Sequence, residues 1–186
     1  RELLLEEKNS IIILGGRLPL YLSNSFFNNK EGGIEGGKWN YKYVPRGKYK
    51  SIEKSYKNEI LKLSENNHII LVYPIPEAGW HVPRKLYNSL PKKNNLIKTY
   101  FIPENYITTS YEVYLNRSKS SVELLDSINN EKIFRVYPNN LFCNTILKGR
   151  CVTHDDKNIF YSDYDHPSLK GAELINELIL KEIEKI

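Results

Sequence analysis

Two short apolar runs constrain this chain more than anything else in it. Ser10 to Leu14 reads Ser-Ile-Ile-Ile-Leu, Ile69 to Val72 reads Ile-Ile-Leu-Val, and neither alternates apolar with polar residues. A strand wetted on one face alternates; an unbroken β-branched run marks a strand covered on both faces, as in a parallel sheet. The reading is therefore two buried parallel strands. Between them Ile52, Tyr56, Ile60, Leu61 and Leu63 recur at helical spacing, until Asn66-Asn67 interrupts the pattern. Strand, helix and strand in that order make a β-α-β crossover.

The alternation continues. Arg1 to Lys8 reads as the end of a helix, and a second long helix is predicted from about Tyr111 to Ile128, with Val113, Tyr114, Val122, Leu124 and Leu125 as core candidates. Lys132 to Tyr137 is the third strand, and a short hairpin is predicted around Asp155 to Tyr161. The last helix places Ala172, Ile175, Ile179, Ile183 and Ile186 on one face. The fold class is α/β, with a parallel sheet and helices on both faces, in one domain over 1–186. Two stretches break the rhythm. Residues 21–50, rich in Asn, Gly, Lys and Tyr and carrying a Glu-Gly-Gly doublet from Glu31 to Gly37, read as an inserted mobile loop or small hairpin over the sheet edge. A long, polar, lysine-rich connection precedes Tyr111.

Composition narrows the class of function. With 40% apolar residues in 186, the chain can bury a real core. The net charge of +5 is spread among interspersed acids and bases, without a basic block or a basic, aromatic-interleaved helix, so nucleic acid is not an expected partner. No apolar run approaches the roughly 20 residues that span a bilayer. The chain opens at Arg1, already inside an apparent helix, and is read as a piece of something longer.

Chemistry gathers in the stretch Tyr161 to Ala172, Tyr-Ser-Asp-Tyr-Asp-His-Pro-Ser-Leu-Lys-Gly-Ala. A residue before proline is pushed out of the α region, so His166 belongs to an extended loop, with Pro167 or Ser168 opening the last helix. Asp163, three residues earlier, can fold back and take the Nδ1 proton, leaving Nε2 to accept one from a nucleophile. The plainer reading is that acids before a helix favour its N-terminal dipole. A second loop, Tyr73-Pro-Ile-Pro-Glu-Ala-Gly-Trp-His-Val-Pro83, follows the second strand, where open α/β sheets bind ligands. Cys143 and Cys151, with seven residues between them, either close a small disulfide loop in an oxidising compartment or remain two thiols. A divalent-ion site from His154, Asp155, Asp156, Asp163 and His166 has suitable donors but no recognised ligand spacing.

Taken together, strand-Gly15-Gly16-Arg17, the Pro-x-Pro-Glu-x-Gly-Trp-x-Val-Pro block from Pro74 to Pro83, Cys-x7-Cys, and Tyr-x-Asp-x-x-His-x-Ser-x-x-Gly-Ala resemble the SGNH-type domain at the C-terminal end of membrane-bound acyltransferase-3 proteins. The resemblance runs from about Ser10 to Ile186. Those proteins modify bacterial surface polysaccharides. It implies a three-layer, flavodoxin-like SGNH hydrolase fold on the periplasmic or extracytoplasmic face of the inner membrane, with Cys143 and Cys151 bridged. It also implies a glycan substrate such as lipopolysaccharide O-antigen, and a membrane acyltransferase domain in the same polypeptide. No cofactor is expected in this domain; the acyl donor, acetyl-CoA, is used by the membrane domain. Asp163 and His166 become the acid and base of a Ser-His-Asp triad.

The chain departs from that pattern in three places. It has no Gly-Asp-Ser block, so the nucleophile and the first strand or strands are expected upstream of Arg1, and the chain alone is expected to be inactive. The oxyanion Asn is missing; Gly15 or Gly16 offers a backbone N–H, and Arg17 offers charge to an oxyanion or an acidic sugar or is simply solvated. His81 stands where such domains often have Asp and is read as a loop contact, while His68 and His154 read as surface residues. The preferred function is transfer of an acyl group, most simply acetyl, to a glycan hydroxyl. An esterase using the same residues and a non-catalytic glycan-binding remnant are the alternatives.

Overall fold

The computed structural model describes residues 2–36, 42–45, 47–89 and 106–186. The middle of the 21–50 insertion (37–41 and 46) and most of the lysine-rich connection (90–105) lie outside the described residues. Helix α1 (Glu2–Glu6) leads into strand β1 (Ile11–Leu14) and short helix α2 (Leu18–Ser23). Helix α3 (Ile52–Asn66) and strand β2 (His68–Val72) complete the predicted crossover. Ser51 caps α3 by accepting from the Lys54 N–H at 3.2 Å, which satisfies one of the donors every helix start leaves free. Helix α4 (Val82–Ser89) follows, so Val82 and Pro83 open a helix rather than end the proline loop. Proline suits a first turn because its missing N–H would be unpaired there anyway.

Next come strand β3 (Thr108–Ser110), helix α5 (Tyr111–Asp126), strand β4 (Ile133–Val136) and one-turn helix α6 (Asn139–Phe142). Strand β5 (Arg150–Val152) and helix α7 (Leu169–Ile183) close the chain. β1, β2 and β4 form a parallel sheet in the order β1-β2-β4, with Ile69 opposite both Ile12 and Ile133. β3 and β5 pair antiparallel in a separate small sheet, to which the Cys143–Cys151 disulfide is attached. The sequence did not announce this second sheet, because its strands are three residues long and mostly polar.

Helices cover both faces of the parallel sheet. Side chains along β2 alternate between them: Ile70 joins Val82, Leu86, Ile175 and Ile179 from α4 and α7, while Ile69 and Leu71 join Ile60, Leu63, Leu124 and Leu125 from α3 and α5. Ile69, Ile70 and Leu71 are 0% exposed, which fixes β2 as the central strand. Several sequence expectations are corrected. β1 pairs only with β2 among the described residues, and at this edge Ile11 and Ile13 are 40% and 49% exposed instead of buried. Ile186 lies beyond the end of α7 and is exposed, and Val113 and Val122 are only half-buried. His154 is 2% exposed, not a surface residue: the Ile107 N–H donates to its Nε2 at 3.0 Å, its Nδ1 lies 2.9 Å from the Asp155 carbonyl, and Tyr106 stacks on the ring. No helix among the described residues is long and apolar enough to cross a membrane.

Candidate active site

The proline loop at the C-terminal end of β2 and the loop from Tyr161 to Ser168 are hydrogen-bonded to each other through their backbones. The N–H groups of Ala78 and Gly79 donate to the Tyr164 carbonyl at 2.9 and 3.1 Å, and the Val82 N–H donates to the Asp163 carbonyl at 3.1 Å. Tyr161, 2% exposed, anchors the second loop by donating its hydroxyl to the Pro76 carbonyl at 2.6 Å. Behind the loop Ser168 caps α7, accepting from the Gly171 N–H at 3.1 Å, so the extended His166-Pro167 step leads directly into a helix. The proline loop after β2 thus acts as a rigid shelf for Asp163 to His166.

Within that loop Asp163 is used three times. Its Oδ1 accepts from the backbone N–H groups of Asp165 and His166 at 3.0 and 2.9 Å, and its Oδ2 lies 2.8 Å from His166 Nδ1. Burial works against the Asp163 charge, yet these three donors hold its carboxyl below the usual carboxylate range. A carboxylate at Nδ1 selects the tautomer whose Nε2 is the basic nitrogen. The His166 side chain is 71% exposed, and the hydrogen bond it donates to Asp163, then the charge of Asp165, raise its pKa above the usual imidazole value. The Ser162 hydroxyl donates to the His166 carbonyl at 3.1 Å, so this nearby serine is turned away from the imidazole.

His166 lines a cavity of about 340 Å³ that is also lined by the turn after β1, Gly15, Gly16 and Arg17. The structure therefore brings these three residues to the dyad. Arg17 is neither solvated nor free: its Nη1 donates to Glu35 at 2.7 Å, its Nε to Glu77 at 2.7 Å, and its Nε lies 3.2 Å from Asp165 Oδ2. Burial opposes the Arg17 charge, but these carboxylates outweigh it and its pKa rises. Glu77, 6% exposed, also takes the Arg117 Nε at 2.8 Å. This buried ion cluster ties β1, the proline loop, α5 and the Asp163 loop together, and the guanidinium of Arg17 is committed to it.

His81 is not at the dyad; it lines a separate cavity. The five-residue metal set is not assembled either, because both nitrogens of buried His154 are hydrogen-bonded. A different trio, Asp163, Asp165 and His166, has its donor atoms within 4.8 Å of one another. Sequence reading missed Glu77, Arg117, Glu35 and Asp165 as a unit. The one available signal was a glutamate fixed between prolines, in a loop otherwise apolar enough to be buried.

Comparison with known proteins adds three findings. No curated protein sequence matches the chain. Among solved structures it is similar to the periplasmic domain of a lipopolysaccharide acetyltransferase from Salmonella ser. Paratyphi A, at 18% identity and a TM-score of 0.43, over 76% of this chain and 54% of that one. The chain thus spans about half the length of that solved domain. The sequence profile of the SGNH domain (fused to AT3 domains) matches residues 1–181, and the chain belongs to that SGNH family.

Proposed function

We propose that this chain is part of an enzyme that moves an acyl group, most simply acetyl, onto a hydroxyl of a bacterial cell-envelope polysaccharide such as lipopolysaccharide O-antigen. Family membership supports the reaction class and a working position on the extracytoplasmic face of the inner membrane, beside an acyltransferase domain of the same polypeptide; acetyl-CoA is the donor proposed for that domain. The observation that carries the reading is the Asp163-His166 pair, 2.8 Å apart, with His166 lining a cavity.

The nucleophile in this scheme is a serine hydroxyl from outside these 186 residues. His166 Nε2 takes its proton as the oxygen attacks the acyl carbonyl, and returns that proton to the departing group. His166 then deprotonates the sugar hydroxyl, which attacks the acyl-serine; the ester passes to the glycan and the serine recovers its proton. Asp163 holds the tautomer and stabilises the imidazolium at each half-reaction. The amides of Gly15 and Gly16, which line the same cavity, are the proposed donors to the oxyanion. Deleting the whole gene tests the direction of transfer. O-acetyl content of the envelope glycans, measured by proton NMR, is expected to fall; a rise would identify an esterase, and no change would remove the proposed role.

A further inference from the structure

The loop that carries the dyad faces two cavities. Asp165 and His166 line the one already described, and Tyr164 lines a second of about 750 Å³, within the size range of small-ligand sites. Among the described residues, the wall of this second cavity carries Arg84, Lys85 and Arg150 against a single carboxylate, Glu31. Glu31 is fully engaged by Arg150, through two hydrogen bonds of 2.6 Å. Arg84 and Lys85 have no carboxylate partner among the described residues, which leaves two unpaired positive charges among the described residues of the wall.

Of the two, Arg84 is exposed, whereas Lys85 is half-buried and held in place. The Lys85 ammonium sits 3.5 Å from the centroid of the Trp80 ring, a cation-π contact that holds the ammonium at the wall. Trp80 is itself packed hard against the chain: a Cβ at Gly33 would lie 2.8 Å from the indole, so a glycine is needed there for the ring to seat. His81 adds a buried Nδ1 that has no hydrogen-bond partner among the described residues. A buried polar atom without a partner is costly. Asn88 and Ser89 supply further polar groups, and Tyr106 and Tyr164 supply rings. One cation held over a tryptophan ring, a second at the rim, short polar side chains and tyrosine rings around one cavity match a sugar that carries a carboxylate.

We infer that this cavity is an acceptor subsite that binds an acidic sugar residue of the glycan, with Arg84 and Lys85 on its carboxylate and His81 on a neighbouring polar group. That the occupant is the acyl acceptor rests on the transferase reading; the binding does not. Tyr164 and His166 are two residues apart, at most about 7 Å of chain, so a polysaccharide anchored here presents a nearby sugar hydroxyl to the base. Specificity then comes from a cavity separate from the reacting atoms.

The test is isothermal titration of the 186-residue chain with two uronic-acid trisaccharides, trigalacturonate and triglucuronate, and with their neutral methyl esters. At least one acid is expected to bind, and its ester to bind at least about tenfold more weakly, the loss of one charge-assisted hydrogen bond. In the Arg84→Ala/Lys85→Ala double variant the acid is expected to fall to the level of the ester. Because the acid and ester are compared on the unchanged chain, the result does not depend on the variant folding. Acid binding by the unchanged chain together with an unchanged envelope O-acetyl content in the gene deletion would refute the transferase reading alone. Equal affinity for acid and ester, no binding of either acid, or full binding by the double variant would overturn the subsite.

Discussion

His166 acts as a base only while its Nε2 is unprotonated, and the neighbouring carboxylates oppose that state as pH falls. Asp163 by hydrogen bond and Asp165 at 3.7 Å both raise its pKa, so the acid limb of the complete enzyme's pH-rate profile is expected above the usual imidazole range. Asp163→Asn removes the larger contribution. The rate is expected to drop and the limb to move to lower pH; a limb that stays in place would show that another group is the base. Asp165 behaves differently. Burial pushes its pKa up from 3.8 to about 6, against the pull of Arg17. A raised acid binds its proton more tightly in the folded state than in the unfolded, so ionisation destabilises the fold: the cost is absent below about pH 4 and complete above about pH 6. Asp165→Asn is therefore expected to stabilise the chain at pH 8 by up to about 3 kcal/mol and to change nothing at low pH, read by urea unfolding at both. Asp163 and His166 were legible in the sequence because they are three positions apart and bond within one turn. The Arg17, Glu77 and Asp165 cluster was not, because its members meet only when the sheet forms.

At the level of elements, α7 positions the dyad through a close approach to the chain just ahead of it. A Cβ at Gly171 would lie 2.2 Å from the Phe160 carbonyl oxygen, and Phe160 immediately precedes the loop that carries Asp163. Backbone cannot yield as a flexible side chain does. Gly171→Ala is expected to cost about 1–3 kcal/mol or more, seen as a lowered Tm with helix content retained; an unchanged Tm would mean that α7 is free to shift. The β-α-β crossover and α7 were legible because long amphipathic periods and unbroken β-branched runs are strong signals. β3 and β5 gave no such signal. Nor could β-branched residues reveal whether a strand is central or at an edge: β1 and β2 read alike, yet β2 has neighbours on both sides and β1 on one.

Across the whole molecule, the sheet delivers two loops to one end, and the loop from Tyr161 to Ser168 divides two cavities between them. His154 shows why the farther parts of that arrangement stay hidden in sequence. Flanked by Thr153 and Asp155 it reads as a surface residue, whereas its burial depends on Ile107, which no local pattern places beside it. The central claim is that Asp163 and His166 form the acid-base pair of glycan acylation. It is tested most directly by the O-acetyl content of envelope polysaccharide from cells whose only copy of the full-length gene carries His166→Ala, with protein levels matched by immunoblot. Loss of a triad histidine lowers rate by about 10⁴ or more, so acetylation is expected to fall to the level of the gene deletion. Acetylation equal to wild type would contradict the account.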